Sequence, residues 1–157
     1  MTGSVVEIIN RQRKYTIDAE WWREFTVRAS SEVSGQVKRR TNKRTKNAFE
    51  GVTIVFAGEA LMRELNRDFR GKNKVTDVLS FPSEQSEYER TMQPSAGDIV
   101  ICVHQAAQQA KEHDMTFDTE IAQLILHGLL HLHGYDHATD AGEMNDLEMR
   151  LRGRLSI

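Results

Sequence analysis

The alternation of apolar and polar positions divides the chain into short extended segments followed by longer helical ones. Val5 to Ile9, and a weaker stretch from Lys14 to Ile17, read as extended; Asp18 then caps an amphipathic helix through Trp21, Trp22, Phe25, Val27 and Val33. Val52-Thr53-Ile54-Val55-Phe56 is β-branched and aromatic and predicts a strand, after which Gly58 opens a short helix through Ala60, Leu61 and Leu65. Asp77 to Phe81 and Gly97 to Cys102 predict two further strands. The acidic stretch Ser83 to Ser95 lies between them, is bounded by Pro82 and carries Pro94, and is expected as a mobile loop. From Val103 onward the pattern is helical, over about 103–113, 117–133 and 140–154. This order predicts an α+β fold: a small mixed four-stranded sheet packed with about five helices. With no internal repeat, low-complexity tract or linker, residues 1–157 read as a single domain.

One of those helices carries chemistry. The segment Thr119 to Leu132 is apolar around most of its circumference, which marks a buried helix, and His127 and His131 interrupt it. Four residues apart on a helix, the two are rotated by about 40° and separated by about 6 Å along one face, so both imidazoles can converge on one ion. His137 would point elsewhere if the helix continued. Gly134 readily takes the left-handed conformation that ends a helix, letting the chain fold back so that His137 meets the other two.

The pattern H-x-x-x-H-x-x-G-x-x-H therefore places a metal site at the end of a buried helix. Three neutral nitrogen ligands suit one zinc ion per chain and leave a tetrahedral position open for water, as catalytic rather than structural sites do. Affinity alone would also admit nickel or copper. Such an ion lowers the pKa of its water and polarises the bond to be cut. His133 lies about 200° around the helix from His131 and cannot share its face. His104 and His113 are expected as solvated positions on the preceding helix.

Composition bounds the setting. At 157 residues the chain can build a core without disulfides, so the metal need not be a structural staple. No run approaches the roughly 20 apolar residues of a membrane span, and the N-terminus reaches Glu7 without a basic, then apolar, leader, so a cytoplasmic location is expected. The single cysteine, Cys102, sits in an apolar run and reads as a small buried hydrophobe. The net charge of −2 conceals an asymmetry: residues 1–80 hold 16 basic and 10 acidic side chains, residues 81–157 hold 5 and 13. The sharpest basic feature, Lys38 to Lys46, has six cations in nine residues and is expected as a loop after the first helix. It gains meaning only beside phosphate chemistry.

The histidine spacing resembles that of metzincin zinc peptidases, but Gly128 stands where those enzymes carry the glutamate that serves as general base. A peptidase is thus the second reading. Leu126 to His137 more closely resembles the signature of the YbeY family of bacterial endoribonucleases and ribosomal RNA maturation factors. Leu65 to Pro82, containing Arg67-Asp68-Phe69-Arg70 and Thr76-Asp77-Val78-Leu79-Ser80-Phe81-Pro82, looks like that family's other hallmark, and Gly97 to Cys102 like its third.

The resemblance implies a zinc-dependent, single-strand-directed endoribonuclease. Its partners would be ribosomal RNA and the small ribosomal subunit, in maturation of the small-subunit RNA end and ribosome quality control. It also marks Arg70 as the catalytic residue outside the ligands. Arg70, expected in a loop with Arg67, Lys72 and Lys74, is chemically suited to pair with a phosphate or to stabilise the charge of a pentavalent phosphorus. Activated water could attack phosphorus or a 2′-hydroxyl could be deprotonated; the sequence leaves both routes open. Asp136 could orient a ligand imidazole or cap the turn, and Asp77 and Ser80 are expected at the strand edge, with a place in the cleft as the alternative. A third reading is a non-catalytic ribosome-assembly factor whose zinc only organises a surface.

Overall fold

The protein is described here by a computed structural model covering residues 5–41, 51–92, 95–136 and 140–157. Its elements in chain order are β1 (Val6–Asn10), α1 (Ala19–Thr41), β2 (Gly51–Ala57), α2 (Glu59–Arg70), β3 (Val78–Pro82), α3 (Glu87–Met92), β4 (Ser95–Cys102), α4 (Val103–Glu112), α5 (Phe117–Leu132) and α6 (Glu143–Leu155). The sheet runs β1-β2-β4-β3, with β1, β2 and β4 parallel and β3 antiparallel at the edge. This is the expected α+β architecture, a mixed four-stranded sheet with five longer helices and the six-residue α3.

Period-two alternation puts a different core on each face of the sheet. Val52, Ile54, Phe56, Ile99 and Ile101 join Trp22, Phe25, Ala29 and Val33 of α1, most of α5, and Met144, Leu147, Leu151 and Leu155 of α6. Val100, Cys102, Ala57 and Leu79 meet Met62 of α2 on the other face. The helix α5 packs against α1, α4, α6, β3 and β4, which explains its nearly continuous apolar sequence. Asp18 caps α1 as expected, its Oδ1 accepting from the Trp21 amide at 3.1 Å.

Four expectations of local structure are corrected. Lys14 to Ile17 forms no strand; the Gln12 side chain instead satisfies the Tyr15 backbone, accepting from its N–H at 2.9 Å and donating to its carbonyl at 2.7 Å. The first helix runs on through Thr41 and takes in the start of the basic stretch, because lysine and arginine are good helix formers and favour a helix C-terminus. The remainder of that stretch, from Asn42 to Lys46, lies outside the described residues. The expected loop from Ser83 to Ser95 carries α3, which opens on a reciprocal capping pair: Glu89 N–H donates to Ser86 Oγ (3.3 Å) and Ser86 N–H to Glu89 Oε2 (2.7 Å). Finally, Arg67 and Arg70 belong to the last turn of α2 and not to a loop.

The edge strand is held close by Gly97, whose φ of +137° places it where L side chains rarely go. A Cβ there would lie 2.1 Å from the Phe81 carbonyl oxygen and 3.0 Å from Leu132 Cδ2. Gly97→Ala is therefore expected to destabilise the fold by about 3 kcal/mol or more. In contrast, Gly153→Ala, inside α6 with nothing within 4 Å, should stabilise by about 0.5–1 kcal/mol. Urea unfolding of both variants beside wild type measures the difference.

Candidate metal centre and adjoining cleft

The helix α5 begins at Thr116, whose hydroxyl accepts from the Thr119 N–H at 3.1 Å, and ends at His133 and Gly134. Gly134 takes φ +91°, the conformation its place in the spacing required. The turn closes on hydrogen bonds from Gly134 N–H to the His131 carbonyl (3.0 Å) and from Tyr135 N–H to the Leu130 carbonyl (3.1 Å). It also brings the carbonyl of Tyr135, a residue buried in the core, back to His131 Nδ1 at 2.9 Å.

His127 and His131 meet as the spacing predicted, with Nε2 atoms 3.0 Å apart and ring centroids 4.6 Å apart. Each Nδ1 faces an acceptor: Glu148 Oε1 at 3.1 Å for His127 and the Tyr135 carbonyl for His131. A carbonyl only accepts, so His131 Nδ1 carries the proton, and the Glu148 carboxylate selects the same tautomer at His127. The two Nε2 atoms then face one another, a spacing that a shared cation fits. A tetrahedral ion with ligand bonds of about 2.0–2.1 Å holds two nitrogens about 3.3 Å apart, close to the observed separation. The donor set thus fits a metal ion with a carboxylate and a backbone carbonyl orienting its imidazoles. The third expected ligand, His137, lies outside the described residues. Among the described residues no further histidine, cysteine or carboxylate completes a three-ligand cluster.

Beside His127 opens a cleft of about 530 Å³ whose polar lining comes from Asp77, Gln109, His113, Glu120, Gln123, Glu148 and Arg152. With its nitrogen turned inward, the Gln109 amide donates to Asp77 Oδ2 (3.2 Å) and Glu120 Oε1 (2.9 Å). Glu120 sits on α5 two turns before His127 and is only 5% exposed. Burial raises its carboxyl above the ordinary carboxylate value and the Asp77 charge adds to the rise, while His113 and Arg152 oppose it. Arg152 Nη2 lies 3.8 Å from Glu148 Oε1, so the carboxylate that orients His127 also faces a guanidinium.

The remaining sequence-derived residues fall in several places. Asp77 does line the cleft and also accepts from the Val78 N–H at 2.8 Å, whereas Ser80, on β3, is not part of that lining. Arg70 is exposed as the last residue of α2, and among the described residues it does not line the cleft beside His127. Asp136 is exposed in the turn after α5. His113 is largely exposed, as expected, with Nδ1 3.9 Å from Glu120 Oε2. His104 is not solvated: it is partly buried, edge-on to the Tyr15 ring at 5.5 Å. Cys102 is buried, and burial pushes its thiol pKa up, in keeping with a hydrophobic role.

Gly128 has a structural reason. A Cβ there would meet Ile99 side-chain atoms of β4 at 2.8–3.0 Å, so the peptidase glutamate would be driven into the sheet. Glu120 and Glu148 were missed by sequence reasoning, yet both interrupt an apolar stripe. Glu148 shares the buried side of α6 with Met144, Leu147, Leu151 and Leu155, and Glu120 precedes Ile121 and Leu124 on α5. A carboxylate on a buried helix face needs a partner, and that signal could have found them.

The family model described as Endoribonuclease YbeY matches residues 7–156. A protein of that name from Thermodesulfovibrio yellowstonii is 35% identical over 158 residues, covering 96% of both chains. One from Solibacter usitatus is 43% identical over 119 residues, 76% of this chain and 75% of the relative. One from Methylocella silvestris is 39% identical over 144 residues, 90% and 80% of the two. A solution structure from Thermotoga maritima, 23% identical, shares the fold with a TM-score of 0.56 over 96% of this chain and 89% of that one. With nearly its whole length matched, the chain belongs to the Endoribonuclease YbeY family.

Proposed function

We propose that this chain is a zinc-dependent, single-strand-directed endoribonuclease that acts in the cytoplasm on ribosomal RNA, in maturation of the small-subunit 3′ end and in ribosome quality control. The observation that carries the reading is the pair of imidazoles with Nε2 atoms converging and both Nδ1 atoms held by acceptors, in a chain whose family relatives are named endoribonucleases. His127, His131 and His137 would hold the ion. Bound there, zinc would supply Lewis-acid activation of water and of a phosphoryl oxygen.

The chain's own residues do the rest. Glu148 and the Tyr135 carbonyl keep both imidazoles in the ligating tautomer and orientation. Arg70 pairs with a phosphate and offsets charge that develops on phosphorus. Arg67, Lys72 and Lys74, on the same exposed turn, hold the neighbouring backbone. The peptidase alternative loses support at Gly128, where contact with Ile99 leaves no room for its general base.

Cleavage of single-stranded RNA by zinc-loaded protein, with metal content determined for each preparation, tests the reading. Wild type is expected to cut, His131→Ala to lose both metal and activity, and Arg70→Ala to keep its metal while cutting about 10²-fold less. Equal cleavage by all three would identify a contaminant and bring the non-catalytic assembly factor forward.

Glu148 gives a separate prediction. Glu148→Ala should weaken metal affinity by about 10–100-fold in competition with a chelator, and Glu148→Gln, which keeps an acceptor oxygen, by less. Affinity in Glu148→Ala equal to wild type would remove its orienting role.

A further inference from the structure

The end of α2 presents an aromatic ring that the core does not use. Phe69 is 67% exposed, although it directly precedes Arg70. Its ring is not loose: it meets Phe81 of β3 edge-on, with centroids 5.1 Å apart and planes at 68°. Phe81 is itself partly buried against the cluster on the α2 face of the sheet. An edge contact of this kind fixes a ring's orientation while leaving its surface open.

The backbone beneath the ring is fixed as well. Gly71, with φ +69°, ends α2 through hydrogen bonds from its own N–H to the Arg67 carbonyl (3.0 Å) and from Lys72 N–H to the Asn66 carbonyl (3.2 Å). The buried Asn66 then donates its side-chain N–H to the Lys74 carbonyl at 2.9 Å, tying down the turn that follows. The result is a rigid, fully exposed segment from Arg67 to Lys74 with four cations, one carboxylate at Asp68, and one aromatic face. Arg67 already engages that carboxylate at 3.2 Å.

Its position connects it to the histidines. The Phe81 carbonyl and the Leu132 side chain both crowd Gly97, and Leu132 directly follows His131. Phe69 therefore packs at the Phe81 end of the edge strand, the end that Leu132, next in the chain to His131, also approaches, and among the described residues no further strand pairs with β3.

We propose that Phe69 is a stacking platform for an unpaired nucleobase of the RNA, seated next to the phosphate that Arg70 engages. The proposal rests on the single-stranded RNA reading above and deepens it by naming a residue that selects unpaired over paired substrate. Phosphate contacts from Arg70, Lys72 and Lys74 position the strand without reading it. An aromatic face accepts any base, but only one that has left its helical stack. A ring exposed among cations on a fixed turn has the two features that sequence-tolerant single-strand sites combine.

The test measures binding in the presence of a chelator, so that neither metal nor cleavage enters. The probes are a single-stranded RNA oligonucleotide carrying 2-aminopurine and a duplex of the same sequence. Phe69→Ala and Phe69→Leu are expected to bind the single strand roughly tenfold more weakly and to lose the quenching of 2-aminopurine, with Phe69→Trp restoring both. Duplex binding should be the same in all variants. Single-strand affinity and quenching unchanged in Phe69→Ala, or an equal loss on duplex, would overturn the proposal. If wild type cuts RNA and Phe69→Ala binds normally, the platform alone fails. If no preparation cuts RNA but Phe69→Ala still loses single-strand binding, the platform stands and the nuclease reading falls.

Discussion

The close approach of α5 to the sheet governs the rest of the structure. At Gly128 the helix backbone comes so near β4 that even a methyl group would press into Ile99 from 2.8 Å. The same proximity recurs where Gly97 lies between the Phe81 carbonyl and Leu132. These two glycines, one on each surface, let a helix buried on nearly all sides settle between the sheet and the helices α1, α4 and α6. The histidines take their places from that contact: His127 immediately precedes Gly128, and His131 immediately precedes Leu132. Widening the gap by a methyl group would move both imidazoles relative to Glu148 on α6 and to the edge strand.

A helix buried this fully cannot carry polar side chains without partners, and the way each is satisfied organises the site. His127 meets Glu148, His131 meets a carbonyl returned by the Gly134 turn, and Glu120 meets Gln109. The first two arrangements engage the Nδ1 hydrogens and turn the two Nε2 atoms toward one another. The third holds a carboxylate in a setting where its neutral form is favoured relative to water. Burial thus fixes the orientation of the two imidazoles through these hydrogen bonds.

Most of the sheet and the longer helices were legible in the sequence, because their period is set by burial on defined faces. Ile99 and Ile101 against Val100 and Cys102 give a plain two-residue alternation, and α5 reads as buried from its composition alone. The features missed were those in which local side-chain bonding decides. Ser86 and Glu89 start α3 inside what looked like a loop, and Gln12 diverts Tyr15 from extended pairing. The convergence of His127 and His131 and the glycine turn followed from spacing, since helical geometry fixes which side chains share a face. Glu148 could not be placed that way, because it reaches His127 across 21 residues of chain, and such a contact depends on how two helices dock.

Charge is also divided across the edge strand. The cleft beside His127 collects Asp77, Glu120 and Glu148 against Arg152 and His113, while the end of α2 exposes Arg67, Arg70, Lys72 and Lys74 against Asp68. A phosphate in the cleft would face carboxylates in partly desolvated surroundings, where repulsion is strongest; at the α2 turn it would meet cations in water. Among the described residues the near-neutral net charge thus conceals a directional surface, basic at the end of α2 and acidic in the cleft.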